Sequence, residues 1–489
     1  MSIDIMSTSK LRLTLFDGGS TLSMNEKKIA EPVKTTRIQA FNGPVVKTDR
    51  WCKFYTSFCT RVNLGGLNKL IDGEYGLFRR MIWLVFILGM TAFGLYQMCS
   101  QIAKYNQRPI TVLVNISRYD HVKFPAITVC NFNIFAKRKT DKVYMTDYVK
   151  AILLEKKSLL ALPALNKQII ANGWSWWENY KLLGHRLHDS LLACDWKQKP
   201  CDYDDFEETI TDMGWCFQFN SNTTTPSLSV NNAGTDYGLL LHLDTELDQY
   251  IGSRHGFGEG FKILAHDRND IPLMKSAGIA VGPGMQTFIG IKQKRIKKIG
   301  PPHGTCGSRK LKEFTHYSTS ACQLECLTEY MGQKCGCKDA YQLGSYPDCT
   351  PEEMYKCGLK AQVDFVTDTN ETCIRERCPD QCETTTFEME VSTVPIADWF
   401  FEEKSADFYI DKNITYLRKN LALVFIYYTS MNVEETVQNV AYTEIDMICD
   451  IGGSFGLALG ASIITGLEIC DFFVYYFFTR HLSGGVKPA

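Results

Sequence analysis

This sequence is short of net charge. Its 489 residues carry 53 lysines and arginines against 54 aspartates and glutamates, a formal balance of −1. Such a balance gives no reason to expect a polyanionic partner, and no nucleic-acid motif is present. Histidine is scarce, at nine residues, and no pair has a credible metal-ligand setting. No phosphate-cradling glycine loop or carboxylate dyad stands in a credible context either. These absences argue against an enzyme and against a resident metal or cofactor. Residues 1–77 hold no short apolar stretch with a cleavage site, so no secretory leader is expected. Long apolar runs are rare too, and the two that exist set the architecture.

The first, Met81 to Met98, approaches the roughly 30 Å hydrocarbon core at about 1.5 Å per residue. Arg79 and Arg80 precede it, which places the N-terminal flank in the cytoplasm. The second run ends at Phe478, followed by Arg480, His481 and Lys487, so both termini are expected inside. The expected order is a cytoplasmic region (1–77), a span (78–99), an ectodomain (100–440), a second span (441–478) and a cytoplasmic tail (479–489). Shorter apolar stretches such as Leu421 to Tyr428 read as buried strands. Membrane lipid is an expected partner.

The second run is unlike an ordinary anchor. Gly452, Gly453, Ser454, Gly456, Gly460, Ala461, Ser462 and Gly466 crowd it with small residues. Glu444, Asp446 and Asp450 lie before them, and Glu468 and Asp471 after. A carboxylate near lipid survives where it faces water or a partner, so acids here mark an ion path. Counted from Ile445, the run exceeds one crossing and must tilt, break or project outward. A break at Gly460-Ala461-Ser462 is tolerable where that backbone lines a water-filled cavity.

The cysteines fix the compartment. Of nineteen, Cys52 and Cys59 are cytosolic, Cys99, Cys449 and Cys470 lie in or beside the spans, and fourteen fall in the loop. An even number in a translocated segment reads as a disulfide framework. Zinc is the weaker reading of Cys322-x3-Cys326 and Cys335-x-Cys337, since thiolates outside the cell pair first. Sequons begin at Asn115, Asn222, Asn370 and Asn413, all in the same loop. The patterns at Ser318–Met331 and Pro351–Gly358 predict two short helices stapled side by side.

One catalytic motif is set aside. Gly452-Gly453-Ser454-Phe455-Gly456 matches G-x-S-x-G, but a nucleophile elbow needs a strand–turn–helix in a soluble sheet. Here the small residues serve close packing around a pore.

The sequence resembles the degenerin / epithelial sodium channel / acid-sensing channel family from about residue 60 to 475. The resemblance is carried by Phe124-Pro125-Ala126-Ile127-Thr128-Val129-Cys130-Asn131, Gly214-Trp215-Cys216-Phe217-Gln218-Phe219-Asn220 and Pro283-Gly284-Met285-Gln286-Thr287-Phe288. The cysteine cluster, Asp450-Ile451-Gly452-Gly453 and Gly460-Ala461-Ser462 complete it. It implies an α+β membrane protein: two transmembrane helices flank a disulfide-rich ectodomain with a palm β-sheet and a helical thumb. Three like subunits, as homotrimer or heterotrimer, would form an amiloride-blocked, sodium-permeable pore in the plasma membrane. It further implies the pairs Cys130–Cys216, Cys194–Cys201, Cys306–Cys382, Cys322–Cys378, Cys326–Cys373, Cys335–Cys357 and Cys337–Cys349. Gly460, Ala461 and Ser462 map to the selectivity filter, Asp450 to an outer pore acid, and Glu468 and Asp471 to inner ones. Cys449 maps to the position whose enlargement holds family channels open. Glu444, Asp446 and Asp450 are expected to ring the mouth and to bind calcium, while sodium permeates.

Three departures matter. The family's His-Gly pair in the re-entrant segment falls on Gly65-Gly66, so the histidine is missing. The tryptophan that couples thumb to membrane in acid-sensing relatives is His303. Their histidine-rich stretch after the first span is Tyr105-Asn106-Gln107-Arg108-Pro109. Proton gating is therefore disfavoured, although the acidic run Asp202, Asp204, Asp205, Glu207 and Glu208 is another route to it. That run reads first as a solvated helix start, and His255, His266 and His303 as surface or wedge residues. The expected stimulus is an extracellular neuropeptide, ahead of constitutive activity or protons. Two rivals are an ATP-gated trimeric channel, for which Lys292, Lys294, Arg295, Lys297 and Lys298 are the candidate cluster, and a non-conducting receptor or auxiliary subunit.

Overall fold

The computed structural model describes residues 50–482 apart from 63–64, 72–75, 144, 147–148, 151–175, 225, 253–257, 368–372, 374–376, 405–408 and 410–411. His255 and the sequon asparagine Asn370 lie outside the described residues. So do most of residues 1–77 and the end of the C-terminal tail.

The helices used below are α1 (Arg50–Arg61), α2 (Leu77–Asn106), α3 (Thr319–Cys335), α4 (Leu359–Thr367), α5 (Ile414–Asn420), α6 (Glu444–Leu459) and α7 (Ile463–Leu482). The strands begin with β1 (Ile110–Arg118), β2 (Val122–Lys123), β3 (Ala126–Asn131), β4 (Leu191–Trp196), β5 (Lys199–Cys201), β6 (Phe206–Thr211), β7 (Gly214–Phe219) and β8 (Ser229–Val230). They continue with β9 (Leu239–Asp244), β10 (Phe261–His266), β11 (Ile279–Val281), β12 (Met285–Lys297), β13 (Glu383–Pro395), β14 (Leu421–Tyr428) and β15 (Asn432–Val440).

One eight-stranded sheet follows the hydrogen-bonded path β1-β15-β12-β14-β9-β4-β5, with β13 along the other side of β12. A five-stranded sheet, β11-β10-β3-β7-β6, is the second layer. Between them Phe124, Ile127, Phe219, Leu241, Ile289 and Val424 are buried in one core. Burying a side chain of this size stabilises by about 1.5–3 kcal/mol, so this interface carries the ectodomain. The run Leu421 to Tyr428 is the buried strand β14, as its β-branched and aromatic residues predict.

The thumb is built differently. Its apolar cluster is small and includes Cys322, Cys326 and Cys378, so crosslinks replace part of a core. Ser318 caps α3 by accepting the Ala321 amide. The second thumb helix is longer than the sequence predicted. It passes through Pro351–Glu353, a π-turn at Met354–Gly358 and α4, ending at Thr367 rather than Gly358. Gly358 does not stop it because its bare face packs on Met354 and Met331, where tertiary contact outweighs propensity.

α2 is long and apolar enough to cross a membrane. α6 and α7 pass that test only as one bent span, turned by 79° at the break between them.

Candidate ion-conduction site

The break falls at Gly460, Ala461 and Ser462. Gly460 is left-handed at φ 64° and caps α6, its amide donating to the Gly456 carbonyl at 2.9 Å. A β-carbon is disfavoured in that conformation, so glycine is the natural stop. Ser462 restarts the helix: its Oγ accepts the Thr465 amide at 3.3 Å, and its own amide donates to Thr465 Oγ1 at 3.2 Å. Small residues also bring the helices together. A β-carbon on Gly94 of α2 would lie 3.1 Å from the Phe455 ring of α6.

Gly65 meets this break directly. Its amide donates to the Leu459 carbonyl at 2.9 Å. Just below, α1 packs on α7 through Phe54, Phe58, Phe472 and Tyr476. Glu468 and Asp471 share α7 with these rings, and Asp471 and Cys470 are exposed. Gly66, at φ 90°, lies against Trp83 of α2.

The outer acids do not share one environment. Asp446 closes a capping box with Thr443 at the start of α6. Glu444 accepts the Tyr105 hydroxyl from the end of α2 at 3.0 Å. Asp450 accepts the Tyr442 hydroxyl at 2.8 Å, and that hydroxyl also lies 3.0 Å from Gln101 Oε1. Lys104 covers the Tyr442 ring at 4.1 Å. Cys449 is exposed beside Asp450. Tyr442, Tyr105, Gln101 and Lys104 thus latch the end of α2 to the start of α6. No sequence motif marks them, because the partners are about 340 residues apart.

The ectodomain joins α2 through the α2–β1 junction. There Arg108 takes a left-handed φ of 49° and donates from its guanidinium to the Pro302 carbonyl at 2.7 Å. His303 follows that proline and is half-buried. The loop is tied back by Cys306–Cys382, and the remaining bridges are Cys130–Cys216, Cys194–Cys201, Cys322–Cys378, Cys326–Cys373, Cys335–Cys357 and Cys337–Cys349. All fourteen loop cysteines are paired, in the pattern the resemblance implied. The grouping of Cys322, Cys326 and Cys378 therefore holds disulfides rather than free thiolates.

Four of the five bases in the run along and just after β12 are paired in place. Lys292 pairs with Glu390, Lys294 with Glu388 at 2.7 Å, Arg295 with Glu435 at 3.3 Å and Lys298 with Asp380 at 2.5 Å. Lysines occupied in this way do not make a triphosphate cradle.

His266 corrects an expectation: it is buried in the β10–β3 layer, not a surface residue. Thr128 Oγ1 lies 2.8 Å from its Nε2, and burial lowers its pKa. His242 is also buried, against the Tyr409 hydroxyl at 2.5 Å, and desolvation lowers its pKa to about 4. His185 lies 2.6 Å from Glu246, a buried pair that sequence reading missed. The acidic run is not a helix start of any length. Asp202 caps a single 3₁₀ turn at Tyr203–Asp205, and Glu207 and Glu208 continue on β6. Asn115 and Asn222 are exposed, and exposed Asn413 caps α5 by accepting the Thr415 amide.

The sequence pattern of the amiloride-sensitive sodium channel family matches residues 58–472. The chain belongs to this family. Acid-sensing ion channel 1A of Danio rerio is 28% identical over 437 residues, covering 85% of this chain and 86% of that protein. Acid-sensing ion channel 1B of Danio rerio is 30% identical over 426 residues, covering 84% and 75%. Acid-sensing ion channel 2 of Homo sapiens is 29% identical over 421 residues, covering 81% of each. Membership makes the chain a cation channel of the plasma membrane and not an enzyme.

Proposed function

We propose that three copies of this chain, alone or with like subunits, form an amiloride-sensitive, sodium-permeable channel opened by an extracellular neuropeptide. The helix break at Gly460-Ala461-Ser462 carries this reading. The helical ladder of α6 ends there, with the Leu459 carbonyl taken by the Gly65 amide, and a ring of three such breaks would offer the remaining backbone oxygens to a permeating ion. Glu444, Asp446 and Asp450 would collect cations, and bind calcium, at the mouth above it. Like subunits are supported by β1, whose Val112, Leu113, Val114 and Ile116 are all more than half exposed beside the first span. An apolar strand left open in this way suits a neighbouring copy.

The choice of a peptide over protons rests on the histidines. His242 and His266 are buried with lowered pKa values, and the Tyr105–Pro109 junction has none. Proton gating is the second reading, favoured by the relatives, which are named acid-sensing channels.

The test is current from cells expressing this chain alone, challenged first with acid and then with pools of extracellular peptides. The expected result is a sodium current evoked by a peptide fraction and blocked by amiloride, with Ser462→Cys shifting the reversal potentials for sodium, lithium and potassium. Current evoked by acid alone would favour the second reading. Surface protein with no current under any stimulus would make the chain a receptor or auxiliary subunit.

A further inference from the structure

One cavity of the ectodomain lies at the far end of the hydrogen-bonded path from β1. It encloses about 750 Å³ between the β4–β5 hairpin of one sheet and β6–β7 of the other. Cys194–Cys201 closes the hairpin.

Its floor is aromatic. Trp196, Phe206 and Phe219 line it, with ring centroids 5.5 Å apart for Trp196–Phe219 and 5.3 Å for Phe206–Phe219. Phe124 supports Trp196 from the core at 4.7 Å. Trp196 and Phe206 are half-buried, so ring surface remains open to the cavity. Lys197, which does not line the cavity, rests 5.4 Å from the Trp196 ring.

Its rim is acidic. Asp204, Asp205 and Glu207 line the opening against a single base, Lys199, and none of the three acids forms an ion pair among the described residues. Their positions are set locally: Asp205 accepts the Asp202 amide, and Glu207 accepts the Thr223 hydroxyl at 2.9 Å. An aromatic floor under a rim with more acids than bases is complementary to an aromatic ring with a positive charge beside it.

We propose that this cavity binds an aromatic cation: the adjacent aromatic and basic side chains of an extracellular peptide. The proposal rests on the peptide-gated reading and names the site at which such a ligand acts. A ligand there touches both sheets at once. The strain it introduces enters at β5 and β4 and passes through β9, β14 and β12 to β15 and β1, which lead into the membrane helices.

The experiment uses the purified full-length channel in lipid nanodiscs. Tryptamine is the probe and N-acetyltryptophan its anionic counterpart, both followed by calorimetry. Tryptamine binds and N-acetyltryptophan does not. Asp204→Asn combined with Glu207→Gln, both exposed, weakens tryptamine binding by about tenfold or more, as loss of charge-assisted contacts requires. Trp196→Ala weakens it further, while Trp196→Phe restores part of it. Failure of tryptamine to bind, or equal binding to the double acid variant, overturns the site. A channel that passes peptide-evoked current but ignores tryptamine loses this inference alone. Binding lost with the two acids, on a protein that passes no current, keeps the site and removes the channel reading.

Discussion

The amide of Gly65 donates to the carbonyl of Leu459, and a β-carbon at position 65 would lie 2.8 Å from that same oxygen. Glycine is therefore required sterically where the family's motif carries a histidine, given this approach of the two backbones. The Gly65-Gly66 segment and the helix break form one unit here.

Gly65→Ala should separate them. The expected outcome is normal surface expression with smaller currents or altered sodium-to-potassium selectivity. Reversal potentials and surface labelling, measured together, check it. Unchanged permeation would confine the contact to a packing role.

The Tyr442–Asp450 pair separates charge from hydrogen bonding. Asp450→Asn should weaken extracellular calcium block and lower conductance, because it removes three charges from a threefold mouth. Tyr442→Phe should leave calcium block intact and shift the opening equilibrium. A hydrogen bond of about 1 kcal/mol corresponds to roughly fivefold in that equilibrium. Dose–response curves over a range of calcium distinguish the two, and identical behaviour of both variants would deny the acid a pore role.

Cys449 is exposed among the outer acids, whereas all fourteen loop cysteines are bonded. A positively charged, membrane-impermeant thiol reagent applied during stimulation should hold the channel open, since the adduct cannot be repacked among converging helices. At rest it should act slowly or not at all, and Cys449→Ser should abolish the effect. A wild-type channel unaffected while open would remove Cys449 from the gate.

His242 predicts a pH dependence of stability. Its folded pKa, about 4, lies below the unfolded value near 6.5, because burial disfavours the charged ring. Below 6.5 the unfolded chain takes up a proton that the folded one refuses, so stability falls as pH drops from 6.5 towards 4 and is full above that window. The loss is about 3 kcal/mol at the lower limit. Thermal unfolding of the purified protein should show this slope, and His242→Gln should flatten it. A slope unchanged by the substitution would assign it to other groups.

Much of this was legible from residues alone where the signal is local. Gly460 and Ser462 announce a stop and a restart, and a glycine C-cap followed by a serine N-cap is what the helix ends contain. The apolar strand at Leu421–Tyr428 shows in its composition, and the even set of loop cysteines announces crosslinks. Other features depend on distant chain meeting chain. Nothing near Gly65 names Leu459, and nothing near Arg108 names Pro302. His266 looked like a surface residue because its partners, Thr128 and Gln218, come from other strands of the same sheet. The acidic run reads as a solvated helix start, but Phe206 begins a strand whose register is set by β7.

β1 and β15 pair antiparallel from Ile110↔Val440 to Arg118↔Asn432, and the Ala441 amide donates to the Pro109 carbonyl at 2.9 Å. Each strand runs into a membrane helix within a few residues. The strands that adjoin α2 and α6 are thus zipped together by a ladder of backbone bonds. They cannot part there without breaking many of those bonds at once. In the proposed channel, opening would then swing the pair as a single strut, with a change of tilt about the Gly460 elbow rather than a separation at the top.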